Sequence, residues 1–351
     1  MRKIDQKYLF IMCLILLLAG MMGCSSRISD ETNGAAEGGI NKQVQDGFST
    51  NYPLSVSNHS IDDGVWSEKD QVFKAAPQRV VANNQSIAEL LIRLGLTKSM
   101  VGVAALYGET AEDIYNEFQT IPVLSSEYVG KELTLGAAPD LVIGRADLFA
   151  DSEWGVGTVK ELNSLGINTY ILNTGKKGAT ISALFQDIKE IGTIFNVQEN
   201  AAAFAADLQS RLDKLSEKVS EEQETLRYAY VSVTDGNLAV YSASNDTFQN
   251  SVLNIIKLDN AFKDAAGNSE INLEQFVSAN PDVLLISHYN GGQDPMKSIE
   301  QIYNMPALQS ISAVKNQRIF IIDFSRFWGY SYQIIDGAEQ LSKELYPNLK
   351  D

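Results

Sequence analysis

The sequence predicts an α/β fold of two lobes with mostly parallel sheets, joined by one long α-helix. Three observations support this prediction. Segments typical of strands and helices alternate on both sides of residues 196–222. Those residues contain no Gly or Pro and place apolar side chains at steps of three and four. The motif Glu-x6-Pro-Asp also occurs once on each side of them.

The net charge argues against binding of nucleic acid and limits how an anionic ligand could be bound. The 351 residues carry a formal net charge of −16, whereas a protein that binds nucleic acid needs a basic surface. An anionic ligand would need local cations to offset the same charge. A chain of this length is long enough for two lobes that each bury a core.

The N-terminus has the pattern of a lipoprotein signal peptide over residues 1–24. Basic residues precede an apolar run from Leu9 to Met22, which is too short to span a bilayer comfortably. The run ends at Cys24 in a sequence that resembles the bacterial lipobox, in which the cysteine is diacylated and becomes the first mature residue. Met21 and Met22 depart from that pattern, and an uncleaved anchor that merely ends in a cysteine is the alternative. A mature chain would keep Cys24 alone, so no internal disulfide is expected.

Residues 25–52 predict a flexible tether. Small, polar and charged residues dominate this segment, and large apolar residues are almost absent. A lipid on Cys24 followed by such a tether would hold a folded body near a membrane without inserting it. We therefore expect a monomeric, extracytoplasmic protein that is anchored by lipid to the bacterial cell membrane.

The first lobe is predicted for residues 53–195. No element is assigned to its opening segment, from Tyr52 to Lys74. After that segment, strands and helices alternate, which is typical of an α/β lobe. The predicted strands are 77–82, 100–104, 139–144 and 168–172, and the predicted helices are 87–94, 158–165 and 180–195.

The linking helix is predicted over residues 196–222. One helical face carries its apolar side chains, which are Ala201, Phe204, Leu208, Leu212, Leu215 and Val219. Asn196 is the expected N-cap, and Glu199 follows at close to capping-box spacing. A long surface helix within one domain would show the same periodicity, so periodicity alone leaves both interpretations open.

The second lobe is predicted for residues 223–351. Its predicted strands are 228–233, 238–241, 281–287 and 318–323, and its predicted helices are 248–258 and 332–345. Glu132 stands seven residues before Pro139, and Glu274 stands seven residues before Pro281. In each lobe the Pro-Asp pair opens an apolar strand, where a proline costs no ladder hydrogen bond. The repeat favours two lobes related by a pseudo-twofold axis over coincidence.

These features together resemble one family, the solute-binding lipoproteins of ABC importers for ferric siderophores, haem and cobalamin, or class III of the periplasmic binding proteins. The resemblance covers about Ala76 to Pro347 and depends on the order and spacing of several short motifs. Besides the long helix and both Glu-x6-Pro-Asp units, these are Pro-x-Arg-Val-Val from Pro77, Leu94-Gly95, Val101-Gly102-Val103, Leu165-Gly166-Ile167 and Ala313-Val314-Lys315.

The resemblance implies a protein that binds a metal chelate between its lobes and delivers it to a permease and its ATPase, without a cofactor. It also implies that Glu132 and Glu274 dock onto arginines of the permease, where salt bridges would steer and register the complex. Ordinary solvated glutamates are the alternative.

Candidate ligand-binding residues follow the predicted strands, because ligands of open α/β sheets gather at the strands' carboxyl ends. They are Tyr107, Arg145, His288, Tyr289, Arg326 and Trp328. Aromatic rings would stack on a large, partly flat ligand, and arginines would pair with its carboxylates or catecholates. Each residue also has a structural alternative: Arg145, for example, could simply pair with Asp147.

His288 bears most directly on the identity of the ligand. His59 is the only other histidine and lies in the opening segment, whereas His288 follows the second Pro-Asp strand. Some haem-binding relatives carry an axial histidine there, and a neutral imidazole is a good iron ligand. Haem held by His288, with Tyr107 as a possible second ligand, is therefore the alternative to a ferric siderophore or a corrinoid. Outside haem we expect no direct metal ligand, and a histidine that only forms hydrogen bonds remains a third interpretation.

Other classes of function fit the sequence less well. Metal chelatases share a related two-lobed architecture, but the sequence contains no Gly-x-Ser-x-Gly, His-Glu-x-x-His or P-loop motif, so no enzyme is expected. A carrier of bare zinc or manganese would have one cleft histidine and no cysteine as ligands. A structural or adhesive lipoprotein would have no reason to keep a docking glutamate on each lobe.

Overall fold

The computed structural model describes residues 49–62, 64–220, 224–234 and 236–348, which belong to one compact unit. The predicted signal peptide, Cys24 and the predicted tether up to residue 48 lie outside these residues. The strands are β1 (Leu54–Asp62), β2 (Val65–Phe73), β3 (Val80–Ala82), β4 (Met100–Val103), β5 (Leu141–Gly144), β6 (Asn168–Ile171), β7 (Leu226–Thr234), β8 (Asn237–Tyr241), β9 (Leu258–Asn260), β10 (Val283–His288) and β11 (Ile319–Asp323). The α-helices are α1 (Gln85–Arg93), α2 (Tyr115–Phe118), α3 (Lys131–Gly136), α4 (Val159–Ser164), α5 (Ile181–Ile194), α6 (Gln198–Ser220), α7 (Thr247–Ile255), α8 (Leu273–Ala279), α9 (Pro295–Asn304), α10 (Ser312–Lys315), α11 (Phe324–Trp328) and α12 (Gln333–Leu345).

The first lobe contains a sheet of four parallel strands in the order β4-β3-β5-β6. Every residue of β3 and β5 is buried, as expected of parallel strands that helices cover on both faces. The strands and helices predicted for this lobe are present, with ends that differ by a few residues.

A β-hairpin of β1 and β2, which the sequence did not predict, covers the outer edge of this sheet. The Asn58 side chain takes the place of a neighbouring strand there. Its Nδ2 donates to the Ile171 carbonyl at 3.0 Å, and its Oδ1 accepts the Ile171 N–H at 2.8 Å. An unpaired sheet edge is thereby closed. The four residues from Ser67 to Asp70 in β2 are all polar and exposed, so the hairpin lacks the apolar alternation on which sequence prediction depends.

The second lobe contains a sheet in the order β11-β10-β7-β8, with β9 also beside β7. The strands are parallel except for β8, which runs antiparallel to β7. The predicted helix over residues 248–258 is too long: α7 ends at Ile255, and Leu258–Asn260 forms β9 instead. Lys257 adopts a φ of +59°, a left-handed conformation that ends a helix.

The predicted linking helix is α6. Its buried residues are Ala201, Leu208, Leu212, Leu215 and Val219, all of which lie on the predicted face. Phe204 is partly buried and packs edge-on against Tyr332, with ring centroids 5.1 Å apart. The prediction that Asn196 caps the helix is wrong. Asn196 has a φ of +57° and its Oδ1 accepts the N–H of Thr50 at 2.7 Å, so it ends α5, whereas an N-cap needs extended backbone.

One apolar cluster continues from the first lobe to the second along α6 and α12. It includes Leu90 of the first lobe, Leu208 of α6 and Leu285 of the second lobe, all fully buried. Arg211 of α6 adds a polar link, because its guanidinium forms an ion pair with Asp336 of α12 at 2.5 Å. The two α/β lobes are therefore joined by a packed interface as well as by a helix.

The Glu-x6-Pro-Asp motif builds the same structure in both lobes. The Asp140 carboxylate accepts the backbone N–H of Arg79 at 3.0 Å, just before β3, and Asp282 accepts that of Arg227 at 2.9 Å, within β7. Each arginine also bonds to the short helix that precedes the Pro-Asp pair. The Arg79 guanidinium donates to the Ala138 carbonyl just after α3 at 2.7 Å, and the Arg227 guanidinium donates to the Ala279 carbonyl at the end of α8 at 2.9 Å. The repeat in the sequence is thus a repeat in the structure.

The packing of α6 can be tested by truncation. Leu208→Ala should lower the free energy of unfolding by about 2–5 kcal/mol, because it leaves a cavity at a fully buried position. Urea unfolding followed by circular dichroism measures the change. Lys214→Ala, at an exposed position of the same helix, should change it by less than about 0.5 kcal/mol. Equal stability of the two variants would show that α6 is not part of the core.

Candidate functional site: the cleft between the lobes

The cleft is bounded by loops that leave the carboxyl ends of both sheets. In the first lobe these loops follow β3, β4, β5 and β6, and in the second they follow β10 and β11. Strands of parallel sheets direct their carboxyl-terminal loops to one edge, which is where ligands of such folds bind. The loop after β11 is a short helix, α11, that carries three of the aromatic side chains at the site.

Hydrogen bonds close the cleft at its mouth. The backbone N–H of Asn290 donates to the Tyr107 carbonyl at 3.0 Å, and its Nδ2 donates to the Gly108 carbonyl at 3.1 Å. Deeper in, Ser86 Oγ donates to the Ser325 carbonyl at 3.0 Å. These bonds join loops of the first lobe to loops of the second, so the lobes are in contact at the cleft as well as along α6.

Further bonds link the loops behind the cleft. Thr174 Oγ1 donates to the Tyr330 carbonyl at 2.7 Å, and Gln333 Nε2 donates to Glu89 Oε2 at 3.0 Å. Residues 83–86, which follow β3 and include the start of α1, are buried. Asn84 Oδ1 accepts the N–H of Ile87 and caps α1.

An aromatic cluster lies across the mouth. The Tyr107 ring meets Tyr128, Tyr289 and Phe324 edge-on, with centroids 5.2, 6.0 and 6.2 Å away. Phe324 stacks on Trp328 with an interplanar angle of 15°. Edge-to-face and offset-stacked arrangements are favourable for aromatic rings. Tyr107 and Tyr289, predicted from opposite lobes, are thus brought together.

Two cavities flank this aromatic cluster. The larger has a volume of about 650 Å³, and its lining includes Tyr107, His288, Tyr289 and Arg326. The smaller has a volume of about 410 Å³, and Trp328 forms part of its wall. Both volumes lie in the usual range for ligand pockets. Five of the six predicted ligand-binding residues therefore line one or other cavity.

Arg145, predicted to bind the ligand, lines neither cavity and instead forms the ion pair with Asp147 that was the structural alternative. Its Nη2 lies 2.5 Å from Asp147 Oδ2, and its side chain is 11% exposed. The guanidinium carbon lies 5.4 Å from the ring centre of Tyr330, a cation–π geometry. Burial, together with the nearby Asp246 carboxylate, raises the pKa of Tyr330 to about 12, so this hydroxyl stays protonated at neutral pH.

Several residues of the site were not singled out from the sequence. They are Tyr128, Tyr230, Tyr241, Ser287 and Tyr330. Tyr230 is the middle residue of β7, whereas Ser287 is the residue before the last one of β10. Of these two, only Ser287 would be predicted by applying the rule for loops to the last residues of each strand as well.

Glu132 and Glu274 occupy matching positions. Each is the second residue of a short helix, α3 or α8, and each is exposed. Neither forms an ion pair with another described residue. An exposed leucine stands beside each one, Leu133 at 57% and Leu273 at 47% exposure.

Two features are absent from the described residues. Within residues 49–348, leaving aside the gaps, no three His, Cys, Asp or Glu side chains converge as a metal site would require. No helix in that part of the chain combines the length and the apolar character needed to cross a membrane.

Comparison with known proteins identifies the family. The periplasmic binding protein family matches residues 80–325, and the chain belongs to it. The chain is 26% identical, over 82% of its length and 86% of the relative, to an uncharacterized ABC transporter substrate-binding lipoprotein, YvrC, from Bacillus subtilis. The sequence-based assignment to the binding proteins of ABC importers, rather than to enzymes, is thereby confirmed.

Solved structures share the fold. A periplasmic binding protein from Veillonella parvula superposes with a TM-score of 0.73 at 24% identity, covering 84% of this chain and 99% of that one. An ABC-type Fe3+-hydroxamate transport system from Saccharomonospora viridis gives a TM-score of 0.66 at 23% identity, with the same coverage. These likenesses confirm the predicted two-lobed α/β fold.

The closed mouth can be tested at Gly108. A Cβ at this position would lie 1.9 Å from Ser325 Oγ of the other lobe, so Gly108→Ala should push the two loops apart. We expect a larger radius of gyration by small-angle X-ray scattering, and Ser325→Gly in the same chain should restore the original value. Gly136→Ala meets nothing within 4 Å and is the control. A Gly108 variant that scatters like the control would mean that the lobes are not in contact in solution.

Proposed function

We propose that the chain is the extracytoplasmic, lipid-anchored solute-binding protein of an ABC importer. It captures a ferric siderophore, or a related iron complex or corrinoid, in the cleft between the lobes and delivers it to the permease. The observation that carries this proposal is the cleft itself, whose mouth is closed by Asn290 and lined by the aromatic rings of Tyr107, Tyr289 and Phe324.

The cleft suits binding of an intact ligand. It is already formed by the packed lobes, so little ordering entropy is lost when a ligand binds. Aromatic walls bind the flat faces of a large chelate, and the surrounding hydroxyl and amide groups fix its orientation. Delivery then needs only the release of the bonds across the mouth, since α6 and the shared core limit larger motions.

Anchoring would place this cleft next to the membrane. The described chain begins at Ser49, and Thr50 is bonded to the end of α5 through Thr193. The tether predicted for residues 25–52 would lead from a lipid on Cys24 to this point, but its last residues belong to the folded body, because Thr50 and Tyr52 are hydrogen-bonded to the end of α5. A relative in Bacillus subtilis that bears the name lipoprotein supports this part of the proposal.

Docking on the permease would use Glu132 and Glu274. Their matching positions on α3 and α8 and their exposure leave both carboxylates available to arginines of a partner. Two salt bridges, one from each lobe, would register both lobes on the transporter at once.

Charge reversal tests this role. Glu132→Arg with Glu274→Arg should lower ligand uptake by cells at least about tenfold, because both docking salt bridges are lost. Ligand affinity should stay unchanged, because both sites lie outside the cleft. Glu199→Arg with Glu217→Arg changes the net charge by the same amount at exposed positions of α6 and should leave uptake normal. Undiminished uptake in the first variant would contradict the docking role.

A haem ligand is the second candidate function. Tyr107 and His288 line the same cavity of about 650 Å³, and His288 Nδ1 is buried without a hydrogen bond to any described residue. An unpartnered imidazole nitrogen in a cavity is available to an iron centre. Burial raises the pKa of Tyr107, so a phenolate ligand would form there only with help from the charge of the iron.

The haem alternative predicts a spectroscopic change. If haem binds, His288→Ala should shift the Soret band of the complex and weaken binding by at least about tenfold, because an axial bond is lost. His59→Ala is the control, since His59 Nε2 is hydrogen-bonded to Asn173 in the first lobe. A Soret band that does not move in the His288 variant would exclude it as an axial ligand.

A further inference from the structure

Aromatic and acidic side chains together line the smaller cavity. Four aromatic residues line it, which are Tyr230, Tyr241, Phe324 and Trp328. Tyr230 lies against Trp328, with ring centroids 5.0 Å apart, and Phe324 stacks on the same indole. The faces of such rings carry negative partial charge, and Trp attracts cations most strongly.

The charged groups of this cavity are both acidic. Asp246 and Glu270 line it, and its described lining contains no Lys, Arg or His. Asp246 is held in place because Asn268 Nδ2 donates to its Oδ1 at 2.9 Å. Burial raises the pKa values of Tyr230 and Tyr330, and the negative charge of Asp246 raises both further.

Neither arginine supplies positive charge to this cavity. Arg145 is paired with Asp147, which neutralises it. Arg326 donates to Gln340 and lines the larger cavity, where three carboxylates also belong to the lining. Both cavities therefore carry a net negative charge at neutral pH, contrary to the sequence-based expectation that arginines would bind an anionic ligand.

Two buried hydroxyl groups at the smaller cavity form no hydrogen bond of normal geometry to a described residue. Tyr230 is 4% exposed, and its hydroxyl makes no hydrogen bond of normal geometry to a described residue. The neighbouring Tyr228 hydroxyl donates to Asn250 Oδ1 instead. Ser287 Oγ is likewise buried and unpartnered among the described residues. A buried polar group without a partner costs free energy, so these two hydroxyls are suited to bond with a ligand oxygen.

We infer that the cleft selects ferric chelates of zero or positive net charge, and that a cationic arm of the ligand seats in the smaller cavity between Trp328 and Asp246. This inference rests on the proposed function. A ferric trihydroxamate meets the requirement, because three hydroxamate anions neutralise Fe3+ and a free ammonium on the chain adds one positive charge. A ferric tris-catecholate, with a net charge of −3, does not.

A matched pair of ligands tests the inference on the whole soluble body. The probes are the ferric complex of a linear trihydroxamate with a free terminal amine, and the same complex with that amine acetylated. Quenching of tryptophan fluorescence reports binding. We expect the cationic complex to bind about tenfold more tightly than its acetylated form, as one charge near a partly buried carboxylate would produce. A ferric tris-catecholate and ferric citrate should bind more weakly than both.

Variants locate the effect. Asp246→Asn with Glu270→Gln should remove the preference for the cationic complex and change the affinity of the acetylated one less than about twofold. Asp264→Asn, an exposed carboxylate of the same lobe, is the control and should keep the preference. Glu270→Gln alone, at an exposed position, should reduce the preference even if the double variant folds poorly.

The outcomes separate the two proposals. Tightest binding by the tris-catecholate or by citrate, or an unchanged preference in the variants, would overturn the charge inference and leave the proposed function standing. Failure of all four complexes to bind would instead contradict the capture of a ferric siderophore, on which this inference rests.

Discussion

The structure depends on one constraint, the apolar core that both lobes share along α6. Leu208 and Leu212 face a cluster that continues into each lobe, and Arg211 ties the same helix to α12. Two lobes connected only by a flexible chain would sample many separations. Because burial of this core fixes their spacing, the loops at the carboxyl ends of the two sheets meet at one place, and a cleft exists before any ligand arrives.

The predictable parts of the fold are those with local signals. The apolar face of α6, the buried strands β5 and β10 and the Pro-Asp openings each have a pattern that short-range physics imposes. The repeat proved to be structural because Asp140 and Asp282 each accept a backbone N–H at the start of a strand, β3 in the first lobe and β7 in the second. The β1–β2 hairpin and β9 could not be predicted in the same way. Asn58 and the left-handed Lys257 act through tertiary contact and backbone conformation, which periodicity does not record.

The site was predictable in outline and not in its electrostatics. The rule that ligands gather after parallel strands led to five of the residues that line the two cavities. The rule could not show that Arg145 forms an ion pair with Asp147, or that Arg326 donates a hydrogen bond to Gln340. Those pairings depend on side-chain packing, and they decide the sign of the charge that a ligand meets. Tyr230 was missed because it lies inside a strand, where a tyrosine ordinarily indicates core packing.

The most direct test of the central claim is to purify the soluble body from its native cells and record its mass under native conditions together with its visible spectrum. A cleft that holds an intact iron chelate predicts a one-to-one complex with the absorbance of that chelate, and an added mass that is lost under denaturing conditions, which release the chelate unmodified. A body that remains colourless after growth with ample iron chelate, and binds none of the chelates added to it, would contradict the account.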